Sequence, residues 1–232
     1  MYPPDYTKYQ AIVRHQLTLS ILTFKQDINY TEILEHTDYI GGLNYLNHIK
    51  NKNKISEIAA VIDKIGDPLK STYQIPETIE CSPSVMRYIF HAENILENLP
   101  DFSHIVELGG GYGGLCVALH LLAPEKILSY TIIDLKEVIQ LQERYLKETL
   151  GDNHVQFVDA STFGKDIPHY DIYLISNYCF SEISKELRYN YESILFPKVT
   201  HGFMAWNFIP VYPFKPNIIE KIIPDLDHFV LF

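Results

Sequence analysis

The sequence predicts an α/β fold in which a doubly wound, mostly parallel sheet follows an N-terminal helical cap. From residue 104 onward, short apolar or β-branched runs alternate with segments of helical spacing, which is typical of parallel strands joined by helices. Before that point, apolar residues recur at helical intervals, and no strong strand pattern interrupts them. We therefore expect a helical cap at 1–74 and a sheet-containing domain at 75–232.

The composition restricts the classes of function. With 232 residues, 47% of them hydrophobic, the chain is long enough for one large domain with its own core. A net charge of -10 disfavours a phosphate backbone as partner, so we predict no nucleic acid partner and a small-molecule substrate instead. The composition leaves assembly into a homodimer open.

The N-terminus and the cysteines bear on the location of the protein. The N-terminus lacks a basic segment followed by an apolar one, and no run of about 18 apolar residues occurs. Cys81, Cys116 and Cys179 form no C-x-x-C pair, as expected of structural thiols in a reducing compartment. These features predict a soluble, cytoplasmic protein without membrane contact.

The individual elements follow from periodicity and from helix breakers. Helices are expected at 6–26, 31–35, 43–49, 55–65, 84–98, 115–123, 137–150 and 184–195. Gly41-Gly42 should break the cap helices, and residues 66–83 should form a loop that ends at the N-cap Ser82 and at Pro83. Strands are expected at 104–108, 127–133, 155–158, 170–176 and 200–206. A last helix near 217–223 and a last strand at 229–232 follow.

A glycine-rich turn at 109–114 organises the chain. It follows an apolar run that contains Glu107, and it holds five glycines and Tyr112. Glycine is required where the backbone takes positive φ or approaches a ligand closely. The turn also begins a helix, whose free N–H groups suit a polar or anionic ligand. The alternative, a turn without a ligand, would cost folding entropy and pack nothing.

Two cofactor classes compete for this turn. Gly109-x-Gly111-x-x-Gly114, with Asp134 20 residues further on, fits the dinucleotide fingerprint. The same stretch, with Glu107 two places before the first glycine, resembles the first motif of class I S-adenosylmethionine-dependent methyltransferases. A carboxylate at Glu107 would repel the pyrophosphate of a dinucleotide. S-adenosylmethionine has no phosphate and carries a sulfonium and an ammonium group, so the sequence favours it as the cofactor.

Polar residues follow the predicted strands where a ligand binds in such a sheet. Asp134 is expected to accept hydrogen bonds from both ribose hydroxyls, and Asp159 to lie at the adenine edge. The predicted cofactor-binding residues are Glu107, Gly109, Gly111, Tyr112, Gly113, Asp134, Leu135, Asp159, Ala160 and Asn177.

Three segments together resemble a family of sugar O-methyltransferases. They are Ser82-Pro83-Ser84 with Arg87-Tyr88, Ile105 to Leu115, and Ile175-Ser176-Asn177-Tyr178-Cys179-Phe180-Ser181-Glu182. The resemblance covers about residues 75–207. It implies a class I, Rossmann-like enzyme that uses S-adenosylmethionine to methylate a hydroxyl of a nucleotide-sugar or glycan, and thus a part in glycan biosynthesis. Because the sheet of that class has seven strands, the short stretch after Trp206 suggests that one strand is missing.

Methyl transfer needs a hydroxyl held in line with the methyl group and a base that takes its proton. The two candidates for the base are Glu182, after the fourth strand, and His91, on the helix before the turn. Glu182 has a structural alternative as a cap of the helix at 184–195. His91 shares a helix face with Arg87, although a solvated face is equally consistent with that spacing. The predicted substrate-binding residues are Arg87, Tyr88, Tyr178 and Ser181.

No metal site is predicted. The ten histidines show none of the usual ligand spacings, and Asp225-x-Asp227-His228 is isolated, although Mg²⁺ held by carboxylates stays open.

Two other functions also stay open. Residues 177–180 have the outline of the tetrad of amino-methyltransferases without its prolines, which allows N-methylation of a base or amine. The short C-terminal stretch allows a non-catalytic module that only binds S-adenosylmethionine.

Overall fold

The computed structural model of the protein describes residues 6–75, 77–151, 155–207 and 209–232. Within these ranges, a seven-stranded sheet forms the centre of the molecule and has a hydrophobic core on each face. The predicted fold class, a doubly wound and mostly parallel sheet with N-terminal helices, is confirmed. Residues 1–5, part of the stretch used to argue against a leader segment, lie outside the described residues.

The strands form two separate sheets. In the described residues they are β1 (Ser71–Gln74), β2 (Thr78–Cys81), β3 (Ser103–Leu108), β4 (Ile127–Asp134), β5 (Val155–Asp159), β6 (Ile172–Asn177), β7 (Val199–Trp206), β8 (Ile219–Ile222) and β9 (His228–Leu231). β1 and β2 pair as an antiparallel hairpin, and the others form the order β5-β4-β3-β6-β7-β9-β8. β3 to β7 run parallel, whereas β9 is antiparallel to both β7 and β8.

The helices cover both faces of the large sheet. In the described residues they are α1 (Tyr6–Leu17), α2 (Ile28–Thr31), α3 (Tyr39–His48), α4 (Ile55–Ile62), α5 (Pro83–Leu96), α6 (Gly114–Leu122), α7 (Lys136–Leu150), α8 (Cys179–Glu182) and α9 (Lys185–Ile194). On one face, α5, α6 and α7 share a core with α1, α3 and α4. On the other, α8 and α9 pack with the segments after β5 and β7. None of these helices is long and apolar enough to cross a bilayer.

The order of the strands determines where a ligand would bind. From β3 the chain moves outward through β4 and β5, then returns beside β3 as β6 and continues in the opposite direction. The carboxyl ends of β3 and β6 therefore flank the point at which the strand order reverses, where parallel α/β sheets form a crevice. The glycine turn follows β3, and Asn177 ends β6.

Several predicted elements differ from the structure. Residues 217–223 are not a helix, because β8 occupies 219–222 and pairs with β9. With β8 and β9 in place the sheet has seven strands, so the expectation of a missing strand is wrong. The predicted loop at 66–83 contains the hairpin of β1 and β2, with Pro76 outside the described residues. Gly41 and Gly42 lie inside α3, and the first helix ends at Leu17.

Candidate active site

The glycine turn has the backbone that its sequence predicts. Gly109, Gly111 and Gly113 have φ of 71°, 58° and 101°, values that side chains other than glycine rarely adopt. The Gly109 N–H donates to the carbonyl of Ile133 at 3.0 Å, which joins the turn to the end of β4. A Cβ on Gly109 would lie 2.5 Å from the Cβ of Cys179. The turn is therefore fitted closely between the ends of β4 and β6.

Two carboxyl groups lie beside this turn at the ends of neighbouring strands. Glu107 is only 2% exposed, and the hydroxyl of Tyr130 donates to its Oε2 at 2.7 Å. Burial raises the pKa of Glu107, the hydrogen bond from Tyr130 lowers it, and the nearby charge of Asp134 raises it. The result of the three effects is a pKa of about 7. Asp134 is 9% exposed, and burial raises its pKa to about 6 in spite of the hydrogen bonds that it accepts. An apolar environment thus disfavours the charged form of both groups.

Gln142 on α7 connects Asp134 to the glycine turn. Its Nε2 donates to Oδ2 of Asp134 and to the carbonyl of Gly111, both at 2.8 Å. The other oxygen of Asp134 accepts from the N–H of Leu135 at 2.8 Å. Sequence reasoning missed Gln142. The available signal was its position on the buried face of α7, eight residues after Asp134.

A second polar group, centred on His91, lies at the carboxyl end of β6. Nε2 of His91 donates to Oδ2 of Asp227 at 3.0 Å, and Nδ1 accepts from Nδ2 of Asn177 at 3.0 Å. The hydroxyl of Tyr178 donates to the other oxygen of Asp227. Both His91 and Asp227 are 1% exposed. Because Nε2 carries the proton that bonds to Asp227, Nδ1 is the ring nitrogen that accepts, and in this structure it accepts the amide of Asn177.

Asp227 keeps its negative charge in this arrangement. Burial raises its pKa, but its interaction with His91, the hydrogen bond from Tyr178 and the charge of Arg87 together lower the pKa to about 2. Asp227 is a further residue that sequence reasoning missed as part of the site. Its only signal was the isolated Asp225-x-Asp227-His228 pattern, and the sequence does not reveal that this pattern folds back onto α5.

Tyr178 has an unusual backbone that fits its position. It follows β6 directly with φ of 64°, and its N–H donates to the carbonyl of Ala205 at 2.8 Å. Positive φ at a bulky residue persists only where the surroundings hold it, and such residues cluster at functional sites. Here the turn allows the Tyr178 hydroxyl to reach Asp227.

Both polar groups line one cleft of about 730 Å³. Its walls come from the strand ends, from α5, and from the N-terminal segments that carry Tyr9 and Leu34. The predicted site residues in the lining are Glu107, Gly109, Gly111, Asp134, Leu135, Asp159, Ala160, Asn177, Arg87, Tyr88, Tyr178, His91 and Glu182. Asn177 has a buried Oδ1 without a hydrogen-bond partner among the described residues.

Three predicted site residues lie outside the lining. Tyr112 is fully buried beneath the turn, where it packs against Tyr145 and lies 4.4 Å from the Nζ of Lys25. Gly113 faces Leu146, because a Cβ there would lie 3.0 Å from that side chain. The Ser181 hydroxyl donates back to the carbonyl of Tyr178 at 2.7 Å. The structure therefore gives these three a place in the framework of the site.

Glu182 lies in the lining at the end of α8. Its Oε1 accepts from Nδ2 of Asn207 at 3.0 Å. It is not the cap of α9, because the hydroxyl of Ser184 accepts the N–H of Leu187 at 3.3 Å in that role. The described residues contain no group of three side chains suited to a metal ion.

The cleft fits S-adenosylmethionine in size and chemistry. Its volume lies within the range of about 300 to 1,000 Å³ that is usual for small-molecule sites. Gly109 and Gly111, both at positive φ, bring backbone into the lining, and carboxyl groups end two adjacent strands. The buried Oδ1 of Asn177 is available to a donor on a ligand.

Part of the chain matches a family model. Residues 85–188 match the family model of an O-methyltransferase domain. No curated protein matches the chain. Similar solved structures include an S-adenosylmethionine-dependent methyltransferase from Aquifex aeolicus, at 15% identity and a TM-score of 0.45 over 62% of this chain and 89% of that one.

Two other similar structures are matched over less of their length. The pyocyanin biosynthetic protein PhzM is 11% identical with a TM-score of 0.48, over 64% of this chain and 56% of PhzM. TrmK of M. capricolum, solved with S-adenosylhomocysteine, is 8% identical with a TM-score of 0.44, over 61% of this chain and 66% of TrmK.

The match to the family model covers the part of the chain that builds the cofactor side of the cleft. It includes α5, the glycine turn and the strands that end in Asp134 and Asn177. The chain is an S-adenosylmethionine-dependent methyltransferase. More particularly, its residues 85–188 are similar to the family of O-methyltransferase domains.

Proposed function

We propose that this O-methyltransferase acts on a hydroxyl of a sugar, in a nucleotide-sugar or a glycan. The observation that carries the proposal is the position of His91 between Asp227 and Asn177, in the same cleft as the glycine turn. A hydroxyl acceptor needs a base, and this arrangement supplies one. A small-molecule acceptor without nucleic acid or membrane partners, and a cytoplasmic location, remain predictions, and a homodimer stays open.

The cofactor side of the cleft supports this proposal. When bound, S-adenosylmethionine supplies an electrophilic methyl group on a sulfonium. Asp134 accepts hydrogen bonds from Leu135, Gln142 and the backbone of Gly110, and a carboxylate has about four lone-pair sites, which leaves capacity for a ribose hydroxyl. Glu107 places a carboxyl group where the cofactor carries positive charge, and Asp159 with Ala160 would meet the adenine.

The base would be His91, with Asp227 as its orienting partner. A hydroxyl that replaces the amide of Asn177 at Nδ1 would meet an unprotonated ring nitrogen. As the oxygen bonds to the methyl carbon and the carbon–sulfur bond breaks, the hydroxyl proton passes to Nδ1. Asp227, whose pKa is lowered to about 2, stays ionised and stabilises the imidazolium that forms.

His91 is better supported as the base than Glu182. His91 has an ionised partner that fixes its tautomer, whereas Glu182 accepts a hydrogen bond from the amide of Asn207. We assign Glu182 to the acceptor side as a hydrogen-bond acceptor for a neighbouring hydroxyl. Aromatic rings beside it suit the apolar faces of a sugar, and the lining includes Tyr45, Tyr88, Tyr178 and Tyr191.

A methyl-transfer assay with labelled cofactor tests the proposal. The acceptors are free hexoses, hexose 1-phosphates, uronic acids and nucleotide-sugars, with an RNA pool and a panel of amines run in parallel. We expect label in at least one sugar and none in RNA or amines. Label confined to amines or RNA would overturn the sugar assignment in favour of N-methylation. Tight binding of S-adenosylhomocysteine without any transfer would favour a module that only binds the cofactor.

A further inference from the structure

Arg87 is a buried cation in the wall of the cleft. It lies one turn before His91 on α5 and is 6% exposed. Its Nη2 donates to the carbonyl of Leu34 at 2.6 Å, and its Nη1 is 3.3 Å from Nε2 of His36. Tyr88 is a further hydrogen-bond partner of Arg87, and three contacts do not use all five N–H donors of a guanidinium.

No carboxylate forms an ion pair with Arg87 within the described residues. The two acids whose charges act on it are otherwise engaged. Asp227 accepts from His91 and Tyr178, and burial raises the pKa of Glu35, which favours its neutral form. A buried charge is costly unless it is paired, and the chain as a whole is acidic. Among the described residues, the structure thus keeps a buried positive charge that lacks a direct ion pair inside a ligand cleft.

The surroundings of Arg87 favour an anion over a neutral ligand. His36 lies beside it, and burial together with the charge of Arg87 lowers the pKa of His36, so the imidazole is available as a neutral neighbour. The rings of Tyr88, Tyr45 and Tyr178 also line this part of the cleft, and the Arg87 guanidinium carbon is 5.5 Å from the centre of the Tyr88 ring. Arginine in such a setting binds carboxylate or phosphate groups with two parallel hydrogen bonds.

We infer that Arg87 binds an oxyanion, a carboxylate or a phosphate, that belongs to a ligand in the cleft. Two sources have this chemistry: a phosphate or uronic carboxylate of the acceptor, and the methionyl carboxylate of the cofactor. The inference rests on the proposed function, because it adds a charge requirement to the same site. An acceptor of this kind would be an acidic sugar or a sugar phosphate.

The test compares three variants with the wild type. Arg87→Met keeps an unbranched apolar stem and removes the charge, whereas Arg87→Lys keeps the charge and loses the planar fork. Arg144→Met is the matched control. Arg144 also holds two N-terminal carbonyls, those of Leu19 and Ser20, at 2.8 and 2.6 Å, but it lies outside the cleft lining.

The probes are inorganic phosphate and S-adenosylhomocysteine, followed by calorimetry and thermal shift at constant ionic strength. We expect Arg87→Met to weaken at least one of the two ligands by tenfold or more, Arg87→Lys to restore part of the loss, and Arg144→Met to bind like the wild type. Phosphate binding that persists at saturating S-adenosylhomocysteine assigns Arg87 to the acceptor. Phosphate binding that S-adenosylhomocysteine abolishes, together with weaker binding of that product by Arg87→Met, assigns it to the cofactor carboxylate.

Equal affinities of the wild type and Arg87→Met for both probes would overturn the inference. That result is distinguishable from failure of the proposed function. If phosphate binding depends on Arg87 but no sugar is methylated, the anion site stands and the sugar assignment fails. If sugars are methylated and Arg87→Met binds both probes normally, the sugar assignment stands and the anion site fails.

Discussion

Asp134 connects the cofactor side of the cleft to the framework of the fold. Its carboxylate accepts hydrogen bonds from the N–H of Leu135 and the amide of Gln142, and the same amide donates to the Gly111 carbonyl in the turn. A carboxylate that faces a wet cleft would be expected to contribute little to stability. Its 9% exposure and these contacts alter that expectation. Asp134 combines a proposed binding role with a structural one.

We predict that Asp134→Ala weakens binding of S-adenosylhomocysteine by about one to two orders of magnitude, since two charge-assisted hydrogen bonds are lost. The free energy of unfolding should fall by about 1 to 3 kcal/mol, because the Gln142 amide loses a buried acceptor. Asp134→Asn should lose less affinity for S-adenosylhomocysteine and less free energy of unfolding. Calorimetry and urea unfolding measure the two effects, with NADH titrated in parallel against the dinucleotide alternative. Wild-type affinity in Asp134→Ala would contradict the assignment.

A second prediction at the residue scale concerns Asp227. Asp227→Asn should lower kcat by about 10² to 10⁴, because the imidazolium of His91 loses its ionised partner. Affinity for S-adenosylhomocysteine should stay within twofold of the wild type. The matched control is Asp225→Asn, since Asp225 is exposed in the same segment and asparagine tolerates its positive φ of 61°. Equal kcat values for the two variants would remove His91 and Asp227 from the mechanism.

At the scale of elements, α3 shows how a glycine allows a helix to pack closely against a neighbouring element. The Cβ that an alanine would add at Gly42 lies 2.2 Å from the hydroxyl of Tyr73, a buried residue of β1. The same atom at Gly41, one position earlier in α3, would meet nothing closer than 3.1 Å. Of these two glycines, only Gly42 is therefore needed for the close approach of α3 to the β1-β2 hairpin.

We predict opposite effects from these neighbouring glycines. Gly42→Ala should lower the free energy of unfolding by about 1 to 3 kcal/mol, because the methyl group overpacks the contact with Tyr73. Gly41→Ala should be neutral or stabilise by up to about 1 kcal/mol through the better helix propensity of alanine. Urea unfolding of both variants is the measurement. Similar changes for both would show that propensity alone governs this helix.

Elements buried within the sheet were predictable from their sequence, whereas peripheral elements were not. β3, β4 and β6 are apolar runs bounded by turns, so burial on both faces leaves a clear pattern. β8 was expected to be a helix because its apolar residues have helical spacing. Seven residues between prolines are too short for a stable isolated helix, and pairing with β9 determines the conformation. Gly42 was taken as a breaker because its contact with Tyr73 is not visible in the sequence.

The candidate site was predictable to a similar, partial degree. Residues near the glycine turn and at strand ends were predicted because short local sequence patterns indicate them. Asp227 and Gln142 were missed, since each acts on a residue that lies elsewhere in the chain. Tyr112, expected at the cofactor, packs in the core against Tyr145, a contact between distant residues that the local pattern does not show.

At the scale of the whole molecule, the raised pKa values of Glu107 and Asp134 have a consequence for stability. Between its ordinary pKa near 4.5 and its folded pKa of about 7, Glu107 binds more proton in the folded than in the unfolded state. The free energy of unfolding therefore falls as pH rises through this window. The loss is on the order of 2 to 3 kcal/mol for the Glu107 contribution.

We predict that Glu107→Gln removes much of this pH dependence, since glutamine does not titrate and still accepts a hydrogen bond from Tyr130. Urea unfolding at pH 5 and at pH 7.5 should show a smaller difference for the variant than for the wild type. Glu143→Gln, at an exposed position of α7, is the control and should keep the wild-type difference. The prediction fails if Glu107→Gln and the wild type have the same pH dependence.

The hydrogen bond between His91 and Asp227 spans 136 residues, and the bond from Arg87 to Leu34 spans 53. Residues 85–188, which match the family model, include neither Leu34 nor Asp227. The segment that sequence comparison recognises is therefore smaller than the structure that builds the cleft. If this segment were replaced by that of a relative, the glycine turn would be replaced too. Leu34 and Asp227, on the proposed acceptor side, would be unchanged. The contacts that Leu34 and Asp227 make with α5 would then depend on residues that the replacement leaves unchanged.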